Sequence, residues 1–533
     1  MFRTGRTPSK FRRQEHLGIG YVGAACAQAG HEVEVVNAQY ECLSVDEVLA
    51  RVAGFEPEIV GVSLYESQIP DTRAFLRGCT ALARRPLTAV GGHSASFNAT
   101  TLIREWDELD LVAIGEAELS FPRLLAAIEA GEWPARIPGF CFRDGDQVVS
   151  TGYPDKVPRL DDLPYPLRPA GYKGLAMTNI SASRGCHAAC TFCSTIPFYQ
   201  GHRGKQIRSR DPVAVVDEIE HVVRTQGARH IFFTDDNFFV NELIQPGWIS
   251  AMCDEIERRK LDIIFNFDCR VDEVDRELFG RMKEVGLVGV FLGVESDSTT
   301  TLGLYNKKTT PVQNLRAIEI LRSLRIDYWF GNIMFHPFTK MPDIGADIAF
   351  LRGINYHRYF NYAYPLSCFA GVLEVYTDTP IHRELERRGA VKRAGVVVEY
   401  DFLDPRTNGF YQLIQEWHPY LEPLVARDAI FLIEIANSMG RSDLAAAVHK
   451  VSRRYMRVDF ELFSNMHAAV GDTAVPLAQA VANARELLDA AKPVVIELDR
   501  RLRALELEIL PILERARAER GAIAVGPGVH MGA

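Results

Sequence analysis

The sequence predicts an α/β protein in three parts: an N-terminal doubly wound, Rossmann-like parallel sheet, a central partial barrel of about six βα units, and a helical C-terminal domain. Three observations carry this. Apolar runs of strand length alternate with helical periodicity on both sides of a proline-rich stretch. Most of those runs end in glycine, serine or acidic residues, the punctuation expected where parallel strands deliver ligand-binding loops. From about Asp401 strand signals fade, and Ala, Leu, Glu and Arg recur at helical spacing. The boundaries read as 1–150, a linker over 151–176, a barrel over 177–400 and a helical domain over 401–533.

Taken in order, residues 1–15 are polar and basic, with Arg3, Arg6, Lys10, Arg12 and Arg13, and no apolar run follows as a secretory signal requires. Leu17 to Ala29 reads as a helix with small residues on one side, closed by Gly30. Val33, Val35 and Val36 suggest a strand over 32–38, and Val45 to Val52 a helix. Ile59 to Leu64 is a near-continuous apolar run, the mark of a buried parallel strand. A helix near 72–83, strands at 87–90 and 111–114 and a helix at 122–129 continue the alternation. Asp144-Gly145-Asp146 reads as a hairpin turn. Pro154, Pro158, Pro164, Pro166 and Pro169 make the linker semi-rigid and extended.

A strand over 177–183 then delivers Cys186-His187-Ala188-Ala189-Cys190-Thr191-Phe192-Cys193. Thiolates are soft ligands suited to iron–sulfur clusters or zinc. Three in one short loop would hold three irons of a [4Fe–4S] cube and leave the fourth open. The competing reading is a structural zinc site with His187, but no second ligand pair completes it downstream. The alternation resumes with strands at 230–234, 263–268, 288–294 and 327–335. They end in Asp235-Asp236-Asn237, Cys269-Arg270, Glu295-Ser296 and His336. A sixth strand falls at 362–367 or 373–376. In such a barrel the active site lies at the strand C-termini. In the helical domain Leu477 to Ala491 and Val494 to Arg520 read as long amphipathic helices, broken or kinked at Pro493 and Pro511. Tyr455, Met456, Phe460 and Phe463 read as core packing.

Net charge is −9, giving no general attraction to nucleic acid. No run of about 18 apolar residues predicts a membrane span. Ten cysteines, scattered apart from the central three, suit a reducing cytoplasm.

The pieces Leu17-Gly18-Ile19-Gly20-Tyr21, Ala29-Gly30-His31-Glu32-Val33, Val60-Gly61-Val62-Ser63, Val90-Gly91-Gly92-His93 and Ile114-Gly115-Glu116 resemble the cobalamin-binding domain that precedes many radical S-adenosylmethionine (SAM) enzymes. The resemblance implies that Ser63, Gly91, Gly92, Gly115 and Glu116 receive cobalamin, glycines letting a bulky ligand approach the backbone. The DxHxxG motif is absent, so it implies no histidine on the cobalt's lower face, and the usual strand before Leu17 is missing. The alternative is a Rossmann-like domain that only caps the barrel. Residues 179–400 resemble the radical SAM superfamily, best its cobalamin-dependent branch, in Cys186/Cys190/Cys193, Phe232–Phe238, Gly293–Ser296 and Asn306–Thr310.

That resemblance implies a [4Fe–4S] cluster on the three cysteines, with Phe192 beside it, and SAM chelated to the open iron and cleaved to a 5′-deoxyadenosyl radical. It implies Asp236 for the SAM ammonium, Arg270 for its carboxylate, and Glu295 and Ser296 for ribose hydroxyls or methionyl polar atoms, with His336 a further contact. The implied partners are a small-molecule substrate and an external flavodoxin- or ferredoxin-type electron donor, without nucleic acid or membrane. The expected activity is methyl transfer to an unreactive carbon. The alternatives are cyclisation, ring contraction or another rearrangement, and a non-catalytic scaffold that keeps only the fold.

Overall fold

The computed structural model describes residues 15–41, 43–132, 136–168, 177–201, 204–356, 371–393, 396–427 and 429–520. Residues 1–14, the end of the linker, the candidate strand 362–367 and the glycine-rich stretch after 520 lie outside them.

The first sheet has the order β1-β2-β3-β4-β5, from β1 (Ile59–Ser63), β2 (Leu87–Gly91), β3 (Leu111–Ala113), β4 (Phe140–Asp144) and β5 (Gln147–Ser150). The first three run parallel, with Ser63 opposite Gly91 and Val90 opposite Val112. The predicted hairpin adds β4 and β5 antiparallel to them. One face packs on Phe75, Leu76, Leu102, Ile103 and Trp106, and the other on Leu124 and Phe121. The segment expected as a strand at 32–38 forms none. It runs extended beside the helix Leu17–Gln28, with Val33 and Val35 against Gly23. Alternating valines make a strand only when a neighbour offers a ladder, and among the described residues β1 pairs with β2 alone. Two short helices missed in the sequence, His93–Phe97 and Ala99–Glu105, follow β2.

The barrel strands are β6 (Thr178–Ile180), β9 (His230–Phe233), β10 (Ile264–Arg270), β11 (Leu287–Glu295) and β12 (Asp327–Asn332), in the order β12-β11-β10-β9-β6. The strand expected over 177–183 is divided: after Ile180 the chain turns, and β7 (Ser183–Arg184) pairs antiparallel with β8 (Arg208–Ser209). Among the described residues the sixth strand is reduced to one parallel bridge, Phe335 to Val372. The outer edge of β6 is capped by buried side chains. The Asn179 amide donates to Glu15 at 2.6 Å, its carbonyl accepts from Arg168 at 2.8 Å, and Arg168 pairs with Glu15 at 3.0 Å. A carboxylate and a guanidinium thus stand where a neighbouring strand would, which blunts an edge open to pairing.

The chain divides into two compact units. The first comprises Met1–Phe291, Ile320–Tyr328 and Val375–Glu399. The second comprises Leu292–Glu319, Trp329–Glu374 and Tyr400–Ala533. The second contains the helices Pro405–Ala426, Ala429–Ser438, Ser442–Gly471 and Leu477–Arg520. Tyr455, Met456, Phe460 and Phe463 are buried in it as core, and Phe463 meets Phe410 edge-on with ring centroids 5.0 Å apart. Of the expected break or kink at Pro493 and Pro511, the break does not occur, and Leu477–Arg520 is one helix. A proline costs an interior helix one hydrogen bond. Burial of Leu488, Val495, Leu498, Leu502 and Ile509 along this helix offsets that cost.

Candidate functional site

The cysteine loop leaves β7 at Arg184 and ends in the helix Thr195–Gln200. Gly185 takes φ +88°, and a Cβ there would lie 2.2 Å from the Gln206 carbonyl oxygen, so only glycine lets the loop turn this closely against β8. Asp236 ties the two flanks of the loop together. Its carboxylate accepts the Gly185 amide at 2.8 Å and the Thr195 hydroxyl at 3.1 Å. Asp235, fully buried, accepts from the Ala182 amide at 3.1 Å and from Ser183 and Asn241. Burial pushes its carboxyl up to about 6 against those bonds. The pair after β9 therefore braces the loop, Asp235 at its entry and Asp236 across it.

Within the loop the Cys193 amide donates to the Cys190 carbonyl at 3.2 Å, and the Ala188 amide to the Cys186 sulfur at 3.4 Å. Cys190 is buried; Cys186, Cys193 and Phe192 are half-buried. Burial pushes the Cys186 thiol up to about 11, and neighbouring Cys193, Asp236 and Cys190 add to it against the Ala188 amide. Three thiolates in so anionic a place need positive charge among them, which an iron–sulfur cluster supplies. Among the described residues no three His, Cys, Asp or Glu side chains gather around a point where one ion could sit. A zinc ion needs its sulfurs about 2.3 Å from a single centre, whereas a cube takes each thiolate on a different iron. His187 lies at 3.8 Å from Glu273 and stands apart as a loop residue.

Arg270, at the end of β10, is buried and forks onto Asp272 at 3.0 and 3.1 Å, with its charge felt at Cys190. One residue of this strand escaped the sequence reading. Asp268 has a buried Oδ1 without a hydrogen-bond partner, and burial, with Asp235 adding, pushes its carboxyl up to about 7. Asn266, Asp268 and Arg270 alternate with Phe265, Phe267 and Cys269, a period of two that puts the polar three on one face.

The candidate cobalamin residues gather at the C-terminal ends of three adjacent strands. Ser63 ends β1. Gly92, at φ +100°, brings its backbone so close that a Cβ would stand 3.5 Å from the Ser63 hydroxyl. Gly91 ends β2, and Gly115 follows β3 at φ +72°. Ser96 joins the two glycine loops, accepting the Gly115 amide at 2.8 Å and donating to the Gly92 carbonyl at 2.7 Å. Glu116 instead turns into the protein. It accepts from Arg208 at 2.6 and 2.8 Å and from the Val157 amide at 3.1 Å, with Arg184 at 3.2 Å. Burial works against its charge, but Arg208 and Arg184 hold it at about 2.

Glu295 and Ser296 lie in the second unit. Glu295 has φ +63° and pairs with Lys307 at 2.9 Å, both side chains nearly buried. Ser296 is fully buried and donates to Asp347 at 2.8 Å. His336 lies within hydrogen-bonding distance of Thr301 at 3.3 Å, and burial lowers its ring to about 4.

Two family models match along the chain: the B12 binding domain over residues 13–125 and the radical SAM superfamily over residues 180–351. The chain carries a B12-binding domain followed by a radical SAM domain. Its cofactors are a [4Fe–4S] cluster and S-adenosylmethionine in the radical SAM domain and cobalamin in the B12-binding domain. Among curated relatives, this radical SAM protein is 26% identical over 345 residues to an uncharacterized methyltransferase of Pyrococcus horikoshii, covering 64% of this chain and 73% of that one. It is 28% identical over 326 residues to an anaerobic magnesium-protoporphyrin IX monomethyl ester cyclase of Cereibacter sphaeroides, covering 58% of this chain but only 51% of the cyclase. A solved structure of the cobalamin-dependent SAM radical enzyme OxsB, with aqua-cobalamin and SAM bound, has the same fold, with a TM-score of 0.69 at 16% identity over 96% of this chain and 79% of OxsB. No helix among the described residues is long and apolar enough to cross a membrane.

Proposed function

We propose that this protein is a radical SAM C-methyltransferase that uses cobalamin to alkylate an unreactive carbon of a small molecule. The observation that carries the reading is the juxtaposition of the two cofactor regions: the B12-domain loops after β2 and β3 abut both flanks of the cysteine loop, His93 on Phe198 at 4.0 Å between ring centroids and Glu118 on Arg184 at 2.7 Å. The methyltransferase relative supports it. When bound, the cluster and SAM supply radical initiation, and cobalamin supplies a transferable methyl group. In this reading Cys186, Cys190 and Cys193 hold three irons, with Phe192 beside them. Asp236 positions the loop and offers a carboxylate oxygen toward the SAM ammonium, and Arg270 binds its carboxylate in exchange for part of its Asp272 contact. Ser63, Gly91, Gly92 and Gly115 receive the corrin's nucleotide tail. Glu116 acts from beneath as the anchor of that loop. An external flavodoxin- or ferredoxin-type protein supplies electrons in a reducing cytoplasm.

The reconstituted protein, reduced anaerobically, is expected to release 5′-deoxyadenosine from SAM, and the Cys186→Ala/Cys190→Ala/Cys193→Ala variant is not. Cleavage by the triple variant would remove the cluster assignment. With methyl-labelled SAM, one labelled methyl per product is expected. The cyclase relative favours a second reading, in which the same parts start a ring closure; unlabelled product would establish that one instead.

A further inference from the structure

Each flank of the cysteine loop is seated on a strand end of the B12-binding domain. Before the loop, Arg184 lies two residues from Cys186. Its guanidinium joins Glu118 at 2.7 Å and Glu116 at 3.2 Å, and packs over the Tyr21 ring at 5.2 Å. Glu116 directly follows Gly115 and is gripped from its other side by Arg208 of β8, the strand paired with β7. After the loop, the Phe198 ring meets at a tilt that of His93, which directly follows Gly92. Asp236 then ties Gly185 to Thr195, closing the circuit across the loop. The Glu116, Glu118, Arg208 and Phe198 side chains among them are buried. A buried charge that loses its partner is strongly destabilising, so the glycine loops and the cysteine loop must keep one relative placement.

We propose that Arg184 is a positioning residue that makes cluster binding and cobalamin binding cooperative. A cluster fixes the cysteine loop; Arg184 and Phe198 transmit that order to Gly115 and Gly92. Cobalamin then meets loops already held in place, and the ordering it must impose is smaller. The coupling is reciprocal, so bound cobalamin favours cluster retention by the same factor. This rests on the reading that cobalamin sits on these loops.

The test is anaerobic titration of hydroxocobalamin into full-length protein with and without its cluster. The dissociation constant is expected to be at least about 5-fold lower with the cluster, the lower end of ordinary coupling. In Arg184→Met/Glu118→Gln, which removes the pair together, the two constants are expected to agree within about 2-fold on the same scale. Hydrogen exchange gives a readout independent of turnover: in that variant the Gly115 and Gly185 amides should lose protection together. Equal affinities in the unaltered protein, or undiminished coupling in the double variant, would overturn the inference while leaving the function standing. No cobalamin binding in either form would remove both. If the double variant does not fold, the comparison of loaded and unloaded unaltered protein decides, and Arg184→Lys, keeping charge but losing the fork, should lower the coupling part way.

Discussion

At the scale of single residues, the decisive groups are buried acids with different partners. Glu116 is held ionised by two arginines, whereas Asp347, which accepts from Ser296 and the Asp297 amide, is pushed up to about 7, chiefly by burial. Above the unfolded carboxyl range and below that value, the folded protein holds a proton that the unfolded chain has released. Stability contributed by this proton is therefore complete below about pH 4 and is lost as pH rises toward 7, by at most roughly 1.4 kcal/mol per pH unit. Asp347→Asn, which keeps an acceptor for Ser296, should flatten the fall in denaturant midpoint between pH 4.5 and 7; parallel curves for the two proteins would contradict the assignment. The sequence could mark Glu295 and Ser296 as polar residues closing a strand. It could not reveal that Lys307 and Asp347 engage them, because those partners lie 12 and 51 residues away. Asp236 could be marked as a strand-end carboxylate, but its grip on Gly185 and Thr195 appears only once the loop after β9 folds against the cysteine loop.

At the scale of elements, the cysteine loop was legible because its three cysteines lie within one short stretch. Its shape depends on Gly185. Gly185→Ala would drive a methyl group into the Gln206 carbonyl from a left-handed conformation, a strain on the order of 1–3 kcal/mol or more. Iron content after reconstitution should fall well below that of the unaltered protein; full loading would show that the loop tolerates another path. Where the sequence misled, tertiary context decided. The valines at 33, 35 and 36 have the period of a strand but no ladder. Pro493 has the chemistry of a helix breaker yet stands exposed inside a continuous helix. Since an interior proline costs a helix about 3 kcal/mol relative to alanine, Pro493→Ala should raise the second unit's unfolding midpoint. An unchanged or lowered midpoint would indicate that the proline restrains the unfolded chain as much as it strains the folded one.

At the scale of the whole molecule, βα alternation and strand-end punctuation were enough to read the architecture, because both faces of a parallel sheet must be covered and its loops point one way. The buried seam joining the B12-binding domain to the cysteine loop was not legible. Its partners are 66 and 92 residues apart and carry no local pattern. That seam joins the two cofactor domains. The most direct test of this account is the cofactor content of anaerobically reconstituted protein, read as iron, sulfide and cobalamin per chain with the cluster's visible absorption. About four irons and one cobalamin are expected on the same chain. A fully formed cluster with no bound cobalamin at saturating hydroxocobalamin would contradict it.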